Sequence, residues 1–425
     1  MRVVIGEAMG ASRSCVIIVE NLPVPLDRRV WQEAQALILA GWRVSVICPR
    51  TAAYPAPYEV LESIAVYRHP LPLEARRKCA FLAEYAVALW QEFRLLWKVR
   101  REQGFAVIQA CNPPDVICLA AAPFKLLGVR FVFDQHDLSP ELYAAKFGRR
   151  GLAYRVLRLF ERMTYRLADT VITANQSFRD IAISRGGKKP ENVQAVYSVP
   201  SRTRIFRGAP DPRLREGVRI VIGYLGVIGD QDGVDHLVRA VRAIVDNGIS
   251  DFRAVIVGDG PALCSVRALA RALGVDNFIV FAGYRSGEDL IAHISAFDIG
   301  VIPDPVNEVN DLMSMNKVFE YCALGIPTVT YRLKETARLL GDVGVYAPTD
   351  TPEGLAAACL GLLRDDQRRE ACAQRALRLS AEKFNWEREA AKYVAAFESV
   401  VAHPLGAPTP VSSVETIKES TAPSH

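Results

Sequence analysis

The sequence predicts an α/β fold of two doubly wound domains, each a mostly parallel sheet with helices on both faces. Three observations carry that expectation. Short continuous apolar runs of strand length alternate with segments of helical periodicity, the pattern left by parallel sheets buried on both faces. The alternation occurs twice, in residues 1–205 and 215–385, and the stretch 198–217 between the two series is Pro, Arg and Gly without periodicity, as in a linker. The 425 residues, 50% of them hydrophobic, are also enough to fill two cores.

In order, CVIIVE (15–20) is a strand, and the proline-rich loop NLPVPLDRR leads into a helix whose apolar positions are Val30, Ala34, Leu37 and Ile38. Gly41 ends that helix and 42–48 is the next strand, which makes a β-α-β unit. Asp27 can cap the helix, placing Arg28 and Arg29 in its first turn, where positive charge opposes the helix dipole. Two readings follow for these arginines: ordinary solvent-facing cations, or an anion site at a cleft. Further strands are expected at 64–67, 105–110, 129–133 and 170–172.

Ligands of such sheets collect at the carboxyl ends of the strands. Two loops there stand out, CNPPD (111–115) and DQHDLSPE (134–141), and the second sets His136 between carboxylates just after a buried strand. Between the strands expected at 64–67 and 105–110, residues 76–101 read as a basic amphipathic helix. Its stripe is Leu82, Tyr85, Ala86, Leu89, Trp90, Phe93, Leu96 and Trp97, with Arg76, Arg77, Lys78, Arg94, Lys98, Arg100 and Arg101 at its ends. Such a stripe either packs on the sheet or lies on a membrane surface.

The second series has strands at 218–225, 252–257, 278–281, 299–302, 327–330 and 344–346, with Gly226, Gly229, Gly258, Gly260 and Gly283 where strands end. The helix 386–400 reads as crossing back to the first domain, and 403–425 as a disordered tail. Within this series, NDLMSMNKVFEYCALGIPTVT (310–330) reads as a loop, a short helix and a strand. Ser314 or Asn316 is the expected N-cap and Gly325 the C-cap. Lys317 lies in the first turn and Glu320 one turn on, along the same face. A cation for a phosphate beside a carboxylate for a sugar diol suggests a nucleotide-sugar site.

Composition narrows the classes. The 52 Lys and Arg exceed the 47 Asp and Glu by only five, too little over this length to argue for nucleic acid. The nine cysteines form no C-x-x-C and the six histidines no ligand-spaced pair, so neither a disulfide framework nor a metal site is expected. No signal peptide and no uncharged stretch of about 18 residues stands out, so the expected place is the cytoplasm, free or at the inner face of a membrane.

VENLPVPLDRRVWQEAQALILAGWRVSVICP, FDQHDLSPEL, YLGVIGDQDGVDHLVRAV, VIVGDGP, FAGY and PDPVNEVNDLMSMNKVFEYCALGIPTV, in that order over 15 to about 400, resemble a GT-B glycosyltransferase of the retaining family 4. The resemblance implies two Rossmann-like domains facing each other across a cleft. It also implies transfer of a sugar from a UDP- or GDP-linked donor, held chiefly by the second domain, to a sugar or lipid-linked acceptor held chiefly by the first.

By position, Glu320 matches the second glutamate of the family's E-x7-E motif, which holds the ribose hydroxyls. Lys317 lies where a basic residue contacts the diphosphate, at a helix N-terminus supplied by 314–318. Gly283 and Tyr284 match the turn that holds the base, and His136 the cleft histidine near the reacting carbon. Two departures stand out. Leu312 replaces the first glutamate, leaving Glu308 and Asp311 as the nearest carboxylates, and Asp232 precedes Gly233 where many members carry a basic residue. The phosphates are then expected to rest on Lys317 and the amides near Gly226 and Gly229. The departures resemble a branch that assembles bacterial surface polysaccharides. No D-x-D lies at a strand end, so neither metal nor cofactor is expected. A sugar-nucleotide epimerase on the same fold and an inactive GT-B partner protein are the alternatives.

Overall fold

The computed structural model describes residues 13–70, 78–148 and 150–402; the 403–425 tail lies outside the described residues. The first sheet contains β1 (Ser14–Ile18), β2 (Arg43–Arg50), β3 (Tyr58–Leu61), β4 (Ile64–Pro70), β5 (Val107–Cys111), β6 (Arg130–Gln135), β7 (Thr170–Thr173) and β8 (Val193–Ala195), in the order β3-β4-β2-β1-β5-β6-β7-β8. β3 is antiparallel to β4 and the other pairs are parallel. The sequence pattern did not reveal β3, because this half-exposed edge has no apolar run, or β8, which is three residues long.

Its helices are α1 (Arg28–Leu39), α2 (Lys78–Glu102), α3 (Cys118–Lys125), α4 (Ser139–Phe147), α5 (Leu152–Leu167) and α6 (Gln176–Ser184). Asp27 caps α1 by accepting from the Val30 amide at 3.1 Å, and Val30, Ala34 and Leu37 face the sheet.

The second sheet contains β9 (Ile220–Leu225), β10 (Phe252–Val257), β11 (Ile279–Gly283), β12 (Ile299–Ile302), β13 (Thr328–Thr330) and β14 (Val345–Tyr346), parallel and in the order β11-β10-β9-β12-β13-β14. Around it lie α7 (Val234–Asp246), α8 (Leu263–Ala272), α9 (Gly287–Ile294), α10 (Asn316–Leu324), α11 (Lys334–Leu340), α12 (Pro352–Leu363) and α13 (Asp366–Lys383). The last helix among the described residues, α14 (Trp386–Ala402), lies on the first sheet, where Tyr393, Phe397 and Val400 share a core with Val30, Leu37 and Trp42.

Strand order reverses between β1 and β5 in one sheet and between β9 and β12 in the other, and such reversals open crevices at the carboxyl ends of the strands. In the second domain, loops from β9 and β10 pack backbone to backbone there. A Cβ on Gly258, whose φ is +149°, would lie 1.8 Å from the Gly226 carbonyl oxygen. Gly258→Ala is therefore expected to lower Tm by several degrees in thermal unfolding; an unchanged Tm would mean that the loops are free to separate.

The stripe read along 76–101 needs correction. Leu96 and Val99 are buried, and Leu89, Phe93 and Trp97 pack partly buried against the same core, because this face of the sheet must be covered. Ala86 is exposed, and Trp90 projects with 60% of its surface exposed. Arg76 and Arg77 lie outside the described residues, as do the side chains of Lys78, Leu82 and Tyr85. What α2 offers outward is Trp90 and a cationic edge of Arg94, Lys98 and Arg101.

Candidate functional site

On the second domain, α10 begins at the carboxyl ends of β9 and β12. Its N-cap is Met315, which has no side-chain acceptor, so neither Ser314 nor Asn316 caps the helix. Asn316 is exposed as the first helical residue and Ser314 is half-buried in the loop. The first-turn amides thus lack the side-chain acceptor that a serine or asparagine cap provides. Gly325, at φ +64°, closes the helix.

Lys317 is buried, with Nζ 3.1 Å from Asp304 Oδ2 just past β12 and 4.8 Å from the centre of the Tyr224 ring on β9. Burial alone would lower its pKa, but attraction to Asp304 outweighs that and holds the ammonium charged. A Cβ on Gly226 would stand 3.1 Å from the Tyr224 hydroxyl, a tight contact, and 3.6 Å from Nζ, an ordinary one. The amides assigned to phosphate are engaged elsewhere: Gly226 donates to the Val257 carbonyl at 3.0 Å and Gly229 to the Asp232 carboxylate at 2.8 Å. Asp232 thus serves its own turn, and burial raises its pKa.

Glu320 is also buried, and it faces the first domain. Arg28 Nη1 lies 3.7 Å from its Oε1, an ion pair longer than a hydrogen bond. Burial raises the pKa of Glu320, while Arg28, Arg204 of the linker and Lys317 oppose the rise. Arg28 and Arg204 also line a cavity of about 610 Å³ between the domains, with Leu26, Trp31 and Tyr284. Tyr284 is 63% exposed, and the Gly283 carbonyl before it accepts from the Gly258 amide at 2.9 Å.

Both carboxylates near Leu312 have partners of their own. Glu308 is exposed and paired with Arg150, and Asp311 accepts from the Lys334 amide at 3.0 Å, at the start of α11. The Leu312 carbonyl accepts from Asn175 Nδ2 of the first domain at 2.9 Å.

On the first domain, His136 follows β6 and its Nε2 is 2.6 Å from Asp134 Oδ2. Its backbone amide donates to Asn112 Oδ1 at 2.7 Å, which fixes the loop to the CNPPD turn. Arg29 is not solvent-facing. It is buried against Asp134 at 2.8 Å and Glu33 at 3.0 Å, and donates to the Val196 carbonyl at 2.7 Å. Gln109 Nε2 donates to Glu33 at 2.9 Å and Asp134 at 3.1 Å, and its Oε1 accepts from Tyr393 of α14 at 2.6 Å.

Burial would raise the Asp134 pKa, but Arg29 and His136 hold it well below the usual range, whereas burial pushes Glu33 up to about 8. Burial would lower the His136 pKa, but Asp134 outweighs this and raises it, which favours the charged form of the imidazole. Cys111, Asp134 and His136 bring possible metal donors within 4.8 Å of one another. The Asp134 carboxylate is already engaged by Arg29, Gln109 and His136, so a divalent cation there would compete with the Arg29 guanidinium.

Sequence reasoning gave no role to Arg204 or Asp304 and noted Asp134 only as a carboxylate flanking His136; the signals available were a carboxylate directly past an apolar strand (PDP) and the aspartate opening DQHD. On the second domain a charged lysine stands at a helix N-terminus with a buried carboxylate one turn later, and on the first domain His136 stands just past the carboxyl end of β6. Such a set can hold a diol and stabilise a departing diphosphate.

Two parallel α/β domains, each with a strand-order reversal that opens a crevice at the carboxyl ends of its strands, form the GT-B architecture. The chain belongs to glycosyltransferase family 4 of that architecture: the model "glycosyl transferase 4-like domain" matches residues 26–197 and "glycosyl transferases group 1" matches 219–365. A curated relative, alpha-D-kanosaminyltransferase of Streptomyces kanamyceticus, is 26% identical over 329 residues, 70% of this chain and 80% of the relative. Among solved structures, sucrose-phosphate synthase of Thermosynechococcus elongatus aligns with TM-score 0.72 at 16% identity, over 92% of this chain and 99% of the other. Anabaena HepE in complex with UDP-glucose aligns with TM-score 0.65 at 17% identity, over 91% and 99%. The protein is a glycosyltransferase that uses a nucleotide sugar.

Proposed function

We propose that the enzyme is a retaining glycosyltransferase that moves a sugar from a UDP- or GDP-linked donor to an acceptor hydroxyl, in the synthesis of a cell-surface polysaccharide or glycolipid. The observation that carries this reading is the pairing of Lys317 with Glu320, one turn apart on α10 and both buried at the switch point of the second sheet. Glu320 accepts the ribose diol, Lys317 and the open first turn of α10 meet the diphosphate, and Gly283 and Tyr284 border the base. Ser314 and Asn316 contribute loop and helix backbone, and Gly226 and Gly229 shape the crevice. His136 acts from the acceptor side near the reacting carbon.

The charge on the departing diphosphate is met by Lys317 and the helix dipole, so the reaction uses neither metal nor cofactor. The acceptor is a sugar or lipid-linked sugar, presented at the cytosolic face of a membrane. The outward cationic edge of α2 then contributes to membrane contact. Among the described residues no helix is long and apolar enough to cross a membrane.

Glu320→Gln tests the donor assignment. Hydrogen bonds to the ribose are alike in ground and transition states, so the variant is expected to raise the donor KM with little change in kcat. A charge-assisted bond of roughly 1.5 to 3 kcal/mol corresponds to about a 10- to 100-fold rise. An unchanged KM and an unchanged thermal response to UDP and GDP would remove Glu320 from the site.

A further inference from the structure

We infer that the donor is a sugar linked to guanosine diphosphate, its base read in the cavity between the domains by Arg204 and Glu288. The inference rests on the donor site proposed above and names the base which that site takes. With Glu320 at the ribose and Gly283 and Tyr284 at the base, the base enters the cavity of about 610 Å³ that Tyr284 lines. A cavity of that size holds a two-ring base.

Two charged side chains in this cavity are without partners. Arg204 of the linker is half-buried, and its guanidinium makes no hydrogen bond or ion pair among the described residues. It has given up part of its hydration with no protein group in return. Arg28, Glu320 and Tyr284 all act on its charge, so it stands close both to the residue assigned to the ribose and to the one assigned to the base. Glu288, in the first turn of α9, lines the same cavity and is likewise unpaired among the described residues. No ion pair joins the two, which leaves both free to meet one ligand. Arg28, the other arginine of the cavity, already bears on Glu320 at 3.7 Å. Trp31 from the first domain and Tyr284 from the second add aromatic planes to the walls.

Hydrogen-bonding pattern selects the base. Guanine presents two acceptors side by side, O6 and N7, which a guanidinium takes as a bidentate pair. Its N1–H and its N2 amine are two donors side by side, which a carboxylate takes in the same way. Adenine sets an amine beside N7 and so turns a donor toward the guanidinium. Uracil has no two neighbouring acceptors, and cytosine has them without the paired donors. Guanine alone completes both halves.

Isothermal titration calorimetry of the full chain with GDP, UDP, CDP, ADP and inosine diphosphate is the test. Wild type is expected to bind GDP about 100-fold more tightly than UDP, CDP or ADP, and about 10-fold more tightly than inosine diphosphate, which lacks the N2 amine. Arg204→Lys keeps the charge and loses the fork, whereas Glu288→Gln replaces one of two acceptors by a donor. Each should cut the GDP-to-UDP affinity ratio about 10-fold, and in Glu288→Gln the difference between GDP and inosine diphosphate should vanish. Glu320→Gln, by contrast, should weaken GDP and UDP alike, because both carry the ribose diol.

UDP, CDP or ADP binding as tightly as GDP overturns the inference and leaves the site of Lys317 and Glu320 standing; this comparison uses wild type and does not depend on how a variant folds. Inosine diphosphate binding as tightly as GDP, or an unchanged GDP-to-UDP ratio in either variant, also overturns it, since the base would then be read by other groups. Binding of none of the five nucleotides overturns the donor-site reading together with it.

Discussion

Lys317→Ala is expected to lower kcat by about two orders of magnitude or more, because an interaction with the departing diphosphate strengthens as the glycosidic bond breaks. The donor KM should change much less. The same substitution strands Asp304, which is 2% exposed, and an uncompensated buried charge costs about 3 to 5 kcal/mol. Lower kcat and lower Tm would thus arrive together, and Lys317→Ala/Asp304→Asn separates them: the second change should restore most of the Tm and none of the kcat. Steady-state kinetics with circular dichroism and thermal unfolding decide the matter. Recovery of kcat in the double variant would show that Lys317 serves the fold and not the chemistry.

His136→Ala should reduce turnover by about 10- to 1000-fold with nucleotide affinity nearly unchanged. The direction of its pH dependence follows from its partner. The folded-state pKa of His136 is raised above the ordinary 6.5, so the ion pair with Asp134 stabilises fully below that value and the gain is lost as pH rises through the raised one. Asp134 is depressed, so its contribution is present above the ordinary 3.8 and is lost only as pH falls through the depressed value.

With Nε2 engaged by Asp134, only Nδ1 is left for a ligand, and it donates when the ring is protonated, the form that Asp134 favours. Activity should therefore fall on the alkaline side, and Asp134→Asn should move that limb to lower pH. The groups bearing on His136 are Asp134, Arg29, Asp27, Glu33 and Asp137, so the limb belongs to a network dominated by Asp134. A rate that instead rises with pH through the histidine range would mark His136 as a general base. Titration of its ring by NMR in wild type reads the raised pKa directly, without any substitution.

The α/β alternation, the two strand series and the helix bearing Lys317 and Glu320 were legible because apolar runs and helical spacing are local. What they left out is pairwise. Nothing near Lys317 in the sequence indicates that Asp304 will meet its ammonium, or that Arg29 will turn inward while Arg28 faces Glu320. Periodicity reports an amphipathic face, not what covers it. The Leu96 and Trp97 stripe of α2 found the sheet, whereas the equally regular Leu152, Val156 and Leu159 stripe of α5 faces outward. The N-cap at Met315 was missed for a related reason: small polar residues before a helix are a statistical signal, and this loop turns one residue away from either candidate.

The seat of α14 on the first sheet bears on how the protein is made. The groove that receives Tyr393, Phe397 and Val400 is lined by residues near the N-terminus, and Gln109, which Tyr393 contacts, also holds the carboxylate behind His136. A product that stops before Trp386 would contain every strand of both sheets and still lack the piece that completes its first domain. Completing the first domain therefore needs α14, the last described helix, whose Tyr393 braces Gln109 behind the carboxylate that His136 meets.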